Sequence, residues 1–389
     1  MEIAKNKKLK VFFKGSFYFS DNEFPLIKAL QERNINVRYY IPVENPHLRG
    51  ALLNIKKQYP HTGIFPASVY QEIDQYKNYL DLSNVFVINS VHKSSLHPLN
   101  ILLKIKVLIE YLRFGPDVLH YTAALPRTLW FLYYLKGKNV LTLHDPFPHS
   151  GQEGGISEML RRKAFKVTDR IVMLSKEHIE NFSSYYKFPI NNIYITQIGI
   201  FDYLSNLPFV LPSIKSKYIL FFGQIFKYKG VEFLLQAMML IHEKHPDIKL
   251  IVAGGGKYYF DLNPYLDKDY IIIENHYIDM PELIGLIKNC LFTVAPYTDA
   301  TQSGALINSF SLNVPMIASK VGHFPEMITD GETGLLVEPC NVEHLASAID
   351  RLVNSPKLLE DMRGNIEKLW KPKMEWDEIA KEFIKAYNE

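Results

Sequence analysis

Short apolar runs recur along the chain, nearly all of strand length, and most are separated by stretches with helical periodicity. In the first half, 9–14 (LKVFFK), 36–41, 85–89, 117–121, 139–143, 170–174 and 193–197 predict strands with helices between most of them. In the second half, 218–222 (YILFF), 248–253, 270–274, 291–295 and 315–319 predict strands, and 230–244, 281–289 and 304–312 predict helices. Runs that are apolar at every position belong to strands covered on both faces. Their alternation with helices predicts parallel, doubly wound sheets. The stretch 202–216 holds two prolines and no helical period, so it reads as a linker between two α/β domains. Ligands of such sheets sit beyond the carboxyl ends of the strands. The loops at 13–18, 144–155, 223–229, 254–258, 275–278 and 296–304 are therefore expected to meet at one cleft between domains. The last segment, 375–388, spaces Trp376, Ile379, Phe383 and Tyr387 as a helix with a packed aromatic stripe.

A length of 389 residues suits two domains, and 47% hydrophobic with 22% charged residues excludes a disordered or fibrous chain. Cys290 and Cys340 form no metal-ligand spacing and read as two reduced, buried thiols, which fits a cytoplasmic setting. No apolar stretch reaches the ~18 residues of a membrane span. The basic Met1–Lys10 leads into an apolar run broken at Lys14, so no secretory leader is expected. The charge is uneven: residues 1–200 carry 26 Lys and Arg against 16 Asp and Glu, and the remainder carry 18 against 25. Basic and apolar residues interleave at 101–113, 127–138 and 161–170. A first half of this kind is expected to face an anionic surface, here the head groups at the inner face of the cell membrane, as a peripheral protein. Nucleic acid is not expected, because no recognition motif accompanies the basic residues.

The chemistry is concentrated in three loops of the second half. FFGQIFKYKG at 221–230 joins a strand to a helix, where Gly223 lets a phosphate approach the backbone and Lys229 offers a point charge; a tight turn with a solvated lysine is the plainer alternative. AGGG at 253–256 removes every Cβ from a strand-to-loop turn, for an unusual backbone or a close ligand. ATQSG at 300–304 opens a helix. Its free N–H groups and positive dipole end suit a diphosphate, with Thr301, Gln302, Ser303 and Gly304 forming the cradle; a simple N-cap is the alternative.

Those segments, with VPMIAS at 314–319, VGHFPE at 321–326 and DGETGLLVEP at 330–339, resemble the retaining family-4 (group 1) glycosyltransferases over roughly 217–355. The first half resembles them more loosely, through Gly15, PDVLHY at 116–121, TLHDPFPHSG at 142–151 and DRIVMLS at 169–175. The resemblance implies a GT-B fold of two facing Rossmann-like domains with parallel sheets and a cleft between them. Residues 1–205 would bind the acceptor, 206–372 the nucleotide sugar, and 373–389 would form a helix crossing back to the first domain. It implies transfer of a sugar, of hexosyl type, from a nucleoside-diphosphate donor to a hydroxyl of a lipid-linked or polysaccharide acceptor in cell-surface glycan synthesis. It places His144 and Lys229 as catalytic and sets Gly15, Gly223, Gln224, Gly254, Tyr277, Ile278, Thr301 to Gly304, Asn308 and Glu326 around the donor, with His149 a lesser acceptor contact. Core packing for Tyr277 and Ile278, a helix-dipole contact for Glu326 and a turn-forming pair of His144 with Asp145 are the plainer alternatives. Gln224 stands where many members have Arg, and Ala300 and Asn308 stand where many have two glutamates. Asn308 retains hydrogen bonding to a ribose and Ala300 does not. With no acid at 300, a same-face displacement is implied rather than a covalent sugar-enzyme intermediate. The 13 histidines are scattered without i,i+4 pairing, so no metal and no cofactor is expected. An epimerase of the same fold and a catalytically silent partner of a transferase are the alternatives.

Overall fold

The computed structural model describes residues 8–44, 50, 52–122, 131, 132, 135, 137–144, 146, 147, 155–176, 178–300 and 303–389. Two compact units emerge: Met1–Gly199 with Trp376–Glu389, and Ile200–Glu375. The division falls a few residues before the position read from the prolines at 202–216.

The first unit holds an eight-stranded sheet: β1 Lys10–Lys14, β2 Asn36–Glu44, β3 Gly63–Pro66, β4 Val85–Ser90, β5 Val118–Tyr121, β6 Lys138–Leu143, β7 Arg170–Met173 and β8 Ile193–Ile195. Their order is β3-β4-β2-β1-β5-β6-β7-β8. All pairs are parallel except β3 with β4, which are antiparallel at the edge. The order turns back between β1 and β5, the position where open α/β sheets bind ligands. There the buried Glu23 carboxylate accepts the Ser16 N–H at 2.8 Å and the hydroxyls of Tyr39 and Thr122. The C-terminal helix Trp376–Asn388 packs in this unit, burying Trp376, Ile379, Phe383 and Tyr387. The Arg33 guanidinium clamps Asp377 with two 2.8 Å bonds, and Tyr387 OH meets the buried His120.

The second unit holds six parallel strands: β9 Tyr218–Phe222, β10 Lys249–Ala253, β11 Ile271–Glu274, β12 Thr293–Ala295, β13 Met316–Ser319 and β14 Gly334–Val337, in the order β11-β10-β9-β12-β13-β14. Their faces are covered by Leu286, Ile287 and other apolar side chains, so β9 and β13 are buried at every position. The chain reverses direction across the sheet between β9 and β12, which places the ligand crevice at the loops following those two strands.

Cys290 is buried as read from the sequence, and burial pushes its thiol up to about 12. Cys340 corrects that reading: it is exposed, in a tight turn at φ +56° before the helix Val342–Val353. Among the described residues no helix is long and apolar enough to cross a membrane.

Candidate functional site

The second unit brings four strand-end loops into contact. After β9, Gly223 N–H donates to Ala253 O at 3.0 Å, and Ile225 N–H donates to Gly255 O at 3.1 Å, so the 223–230 loop rests on the AGGG turn. The first glycine of that turn has an internal cause. Gly254 has φ +149°, and a Cβ there would lie 2.1 Å from Gly223 O. The turn is thus glycine because another backbone fills the space. Gly254 N–H in turn donates to Glu274 O at 2.9 Å, which aligns the loop after β11.

The loop after β12 is held by Thr298 N–H to Tyr228 O at 2.7 Å. This bond sets Lys229 against Tyr297: its ammonium lies 3.8 Å from the centre of the Tyr297 ring and 5.0 Å from that of Tyr228. Among the described residues Lys229 has no carboxylate partner. Burial lowers its pKa from the ordinary lysine value, while Tyr228 works to raise it. The aromatic faces hold a cation in a half-dry place without neutralising it. Tyr297 is itself buried, its phenol pushed up to about 12 by burial, and it faces the Ser303 hydroxyl at the start of the helix Gly304–Ser311. Tyr297 therefore joins the lysine loop to the helix start. The sequence reading missed it as a site residue, although its place in the PYTDATQSG segment carried the signal.

Ser303 takes the N-cap position without capping, and its buried hydroxyl has no well-formed hydrogen bond among the described residues. The plain N-cap alternative is therefore not what this serine does. Among the described residues nothing lies within 4 Å of a Cβ added at Gly304, and its backbone is helical. Neither packing nor conformation requires glycine there. Gly223 also faces open space, though its φ of +116° gives a backbone reason for glycine. One turn further, Asn308 donates its amide to Gly304 O at 2.8 Å, leaving a buried Oδ1 with no partner among the described residues.

Other residues singled out in the sequence fall differently. Gln224 is exposed. Ile278 packs against the core cluster of Tyr218, Phe222 and Leu286, so it serves the core, while Tyr277 is half-buried beside Gly255. Glu326 is exposed and pairs with His323 at 3.3 Å. Thr301, Gln302, Asp145 and His149 lie outside the described residues. An Asp-x-Asp that the sequence reading passed over, Asp267 and Asp269, lies before β11, at the opposite end of the sheet from the loops, with Asp267 paired to Lys268 at 3.1 Å. Among the described residues no cluster of His, Cys, Asp and Glu could hold a metal.

In the first unit, Gly15 follows β1 with its N–H on Tyr40 O at 3.0 Å. A Cβ there would lie 2.1 Å from Glu23 Oε2, so this glycine too has an internal reason. His144 follows β6 with its ring stacked 3.7 Å from that of Phe19. Burial lowers its pKa to about 3, so its imidazole is neutral at physiological pH and can donate or accept a hydrogen bond but not supply charge.

Residues 207–369 match the family of glycosyl transferases group 1. The chain is 30% identical over 174 residues to the uncharacterized glycosyltransferase MJ1607 of Methanocaldococcus jannaschii, covering 44% of each. It is 25% identical over 238 residues to CapM of Staphylococcus aureus, a capsular polysaccharide biosynthesis glycosyltransferase, covering 58% of this chain and 59% of that one. The chain thus spans less than half the length of MJ1607 and under two thirds of CapM in these matches. Its fold is similar over 97% of its length to Anabaena Alr3699/HepE, crystallised with UDP-glucose, with TM-score 0.66, 13% identity and 98% of that chain covered.

Proposed function

We propose that this chain, whose residues 207–369 are a group 1 glycosyl transferase domain, transfers a hexosyl group from a nucleoside-diphosphate sugar to a hydroxyl of a lipid-linked or polysaccharide acceptor, with retention and without a divalent cation. The observation that carries the reading is Gly304. It is a glycine with no conformational or packing cause among the described residues, at a helix start, next to a serine hydroxyl that faces Tyr297 without capping the helix, and linked through Tyr297 to Lys229, which has no carboxylate partner among the described residues. That arrangement suits a diphosphate: main-chain N–H groups, the helix dipole and one ammonium converge on the same oxygens. Asn308 Oδ1 is an acceptor left over for a ribose hydroxyl. The same donors favour the charge that grows on the leaving diphosphate, so they do more for the transition state than for bound donor. With Ala300 apolar, no side chain at that position can trap the sugar, which favours displacement on the same face with the leaving phosphate assisting the acceptor hydroxyl. His144 enters as a neutral hydrogen-bond partner of sugar or leaving group. CapM supports the polysaccharide class of acceptor, and HepE shares a fold that carries UDP-glucose.

Gly304→Ala separates this reading from a structural role. The variant should keep its stability or gain about 0.5–1 kcal/mol, as Gly-to-Ala does in a helix. Its affinity for UDP, measured by calorimetry beside GDP and ADP, should fall by about tenfold or more for whichever nucleotide binds, through steric exclusion. Lost stability with unchanged nucleotide affinity would remove the site. A second measurement addresses mechanism: NMR of the product formed in excess chelator should show the anomer of the donor at an undiminished rate. Inversion, or activity restored only by manganese, would refute retention or metal independence.

A further inference from the structure

The helix Pro98–Phe114 is apolar on two opposite faces. Leu103, Val107, Tyr111 and Phe114 are buried in the first unit. On the far side Leu102, Ile105, Ile109 and Leu112 are 52%, 48%, 40% and 63% exposed, and Leu96, Leu99 and Ile101 extend the patch at the helix start. A water-facing helix normally carries polar residues there, and a contiguous apolar stripe marks a docking surface. The flank is cationic: Lys106 and Arg113 are exposed and make no ion pair among the described residues. The helix has one acid, Glu110, and Arg38 pairs with it at 3.1 Å. Lys106, Arg113 and Ile109 also border a groove with Ile64, Phe65 and Phe86, along the sheet edge made by β3.

We infer that the outward face of this helix is the surface by which the protein lies on an anionic phospholipid bilayer, with Leu102, Ile105, Ile109 and Leu112 among the acyl chains and Lys106 and Arg113 at the head groups. The inference rests on the reading that the acceptor is lipid-linked, and it names the surface that would bring the enzyme to it. The charge selects this occupant. Two copies of a cationic face repel each other, and the stripe itself, all leucine and isoleucine, lacks the aromatic anchors of protein interfaces. A helix with leucine and isoleucine on one side and lysine and arginine at its flank suits the bilayer interface, where burial and attraction to anionic lipid add.

The test uses the full chain with phosphatidylcholine vesicles, with and without phosphatidylglycerol, by co-flotation. Wild type should float with the anionic vesicles and much less with the neutral ones. Leu102→Ser/Ile105→Ser/Ile109→Ser should lose binding by about tenfold or more. Lys106→Ala/Arg113→Ala should lose roughly tenfold at low salt and less at high salt. Ile105→Leu/Ile109→Leu should bind as wild type does, which separates apolar burial from a folding defect. Failure of wild type to float, equal flotation of the serine variant, or a dimer in sedimentation that the serine variant abolishes would overturn the inference. Release of glucose from UDP-glucose, measured in parallel, should be the same in all variants. Intact hydrolysis without flotation would refute this surface alone, and flotation with no nucleotide binding or hydrolysis of any donor would refute the transferase reading instead.

Discussion

Lys229→Ala should weaken binding of the nucleoside-diphosphate donor by about 1–3 kcal/mol, the value of a charge-assisted hydrogen bond, and lower the transfer rate by roughly two to three orders of magnitude. The larger effect on rate follows from where charge develops: the leaving diphosphate gains negative charge as the sugar departs, and of the loop's two lysines, Lys227 and Lys229, it is Lys229 that lies against Tyr297. The position of Lys229 over the Tyr297 ring, 3.8 Å from its centre, means that the cation waits in a partly desolvated place. Lys229→Met supplies the control, because its unbranched chain retains packing on the ring while removing charge. It should match the alanine variant in affinity and exceed it in stability. Because burial lowers the lysine's pKa, donor affinity in the wild type should begin to fall at a pH below the ordinary lysine range, and that fall should be missing from Lys229→Met. An unchanged dissociation constant for the alanine variant, measured by calorimetry against UDP and related nucleotides, would take Lys229 out of the site.

The most readable strands, β9 and β13, are short runs buried at every position. The predicted 218–222 and 315–319 differ from β9 Tyr218–Phe222 and β13 Met316–Ser319 by at most a residue. Strand β3 was not readable, since GIFP contains both glycine and proline and pairs only at an edge, where such residues are tolerated. Strand β14 lay inside a motif read only for its family resemblance and is short, GLLV, without flanking pattern. In the candidate site, residue type indicated which loops matter but not what each residue does there. Gly15, Gly254 and Gly304 look alike in sequence, and only the neighbours of a missing Cβ distinguish a glycine crowded by a carboxylate or a carbonyl from one facing open space. Tyr297 escaped notice for a similar reason. A buried aromatic after a strand is ordinary core in sequence, and its role emerges from a lysine on one side of the ring and a serine beside its hydroxyl. Among 24 Tyr and 24 Phe, only its place in the PYTDATQSG segment set it apart.

Gly254→Ala should damage the fold of the second unit by roughly 2–4 kcal/mol, and its loss of donor binding should follow from that rather than from contact with donor. The new Cβ would have to sit 2.1 Å from Gly223 O, an oxygen fixed by the strand that precedes it, and the φ of +149° is itself unfavourable for alanine. Relief requires the 223–230 loop to lift off the AGGG turn, which breaks the Gly223 N–H to Ala253 O bond and moves Lys229 with it. Thermal unfolding followed by calorimetry should show the transition of this unit lowered by about 5–15 °C. Gly304→Ala, by contrast, should leave that transition in place and still lose the donor. If Gly254→Ala melted as wild type does and merely bound nucleotide less well, the AGGG turn would be a contact surface for donor, and the backbone-packing explanation for its first glycine would fail.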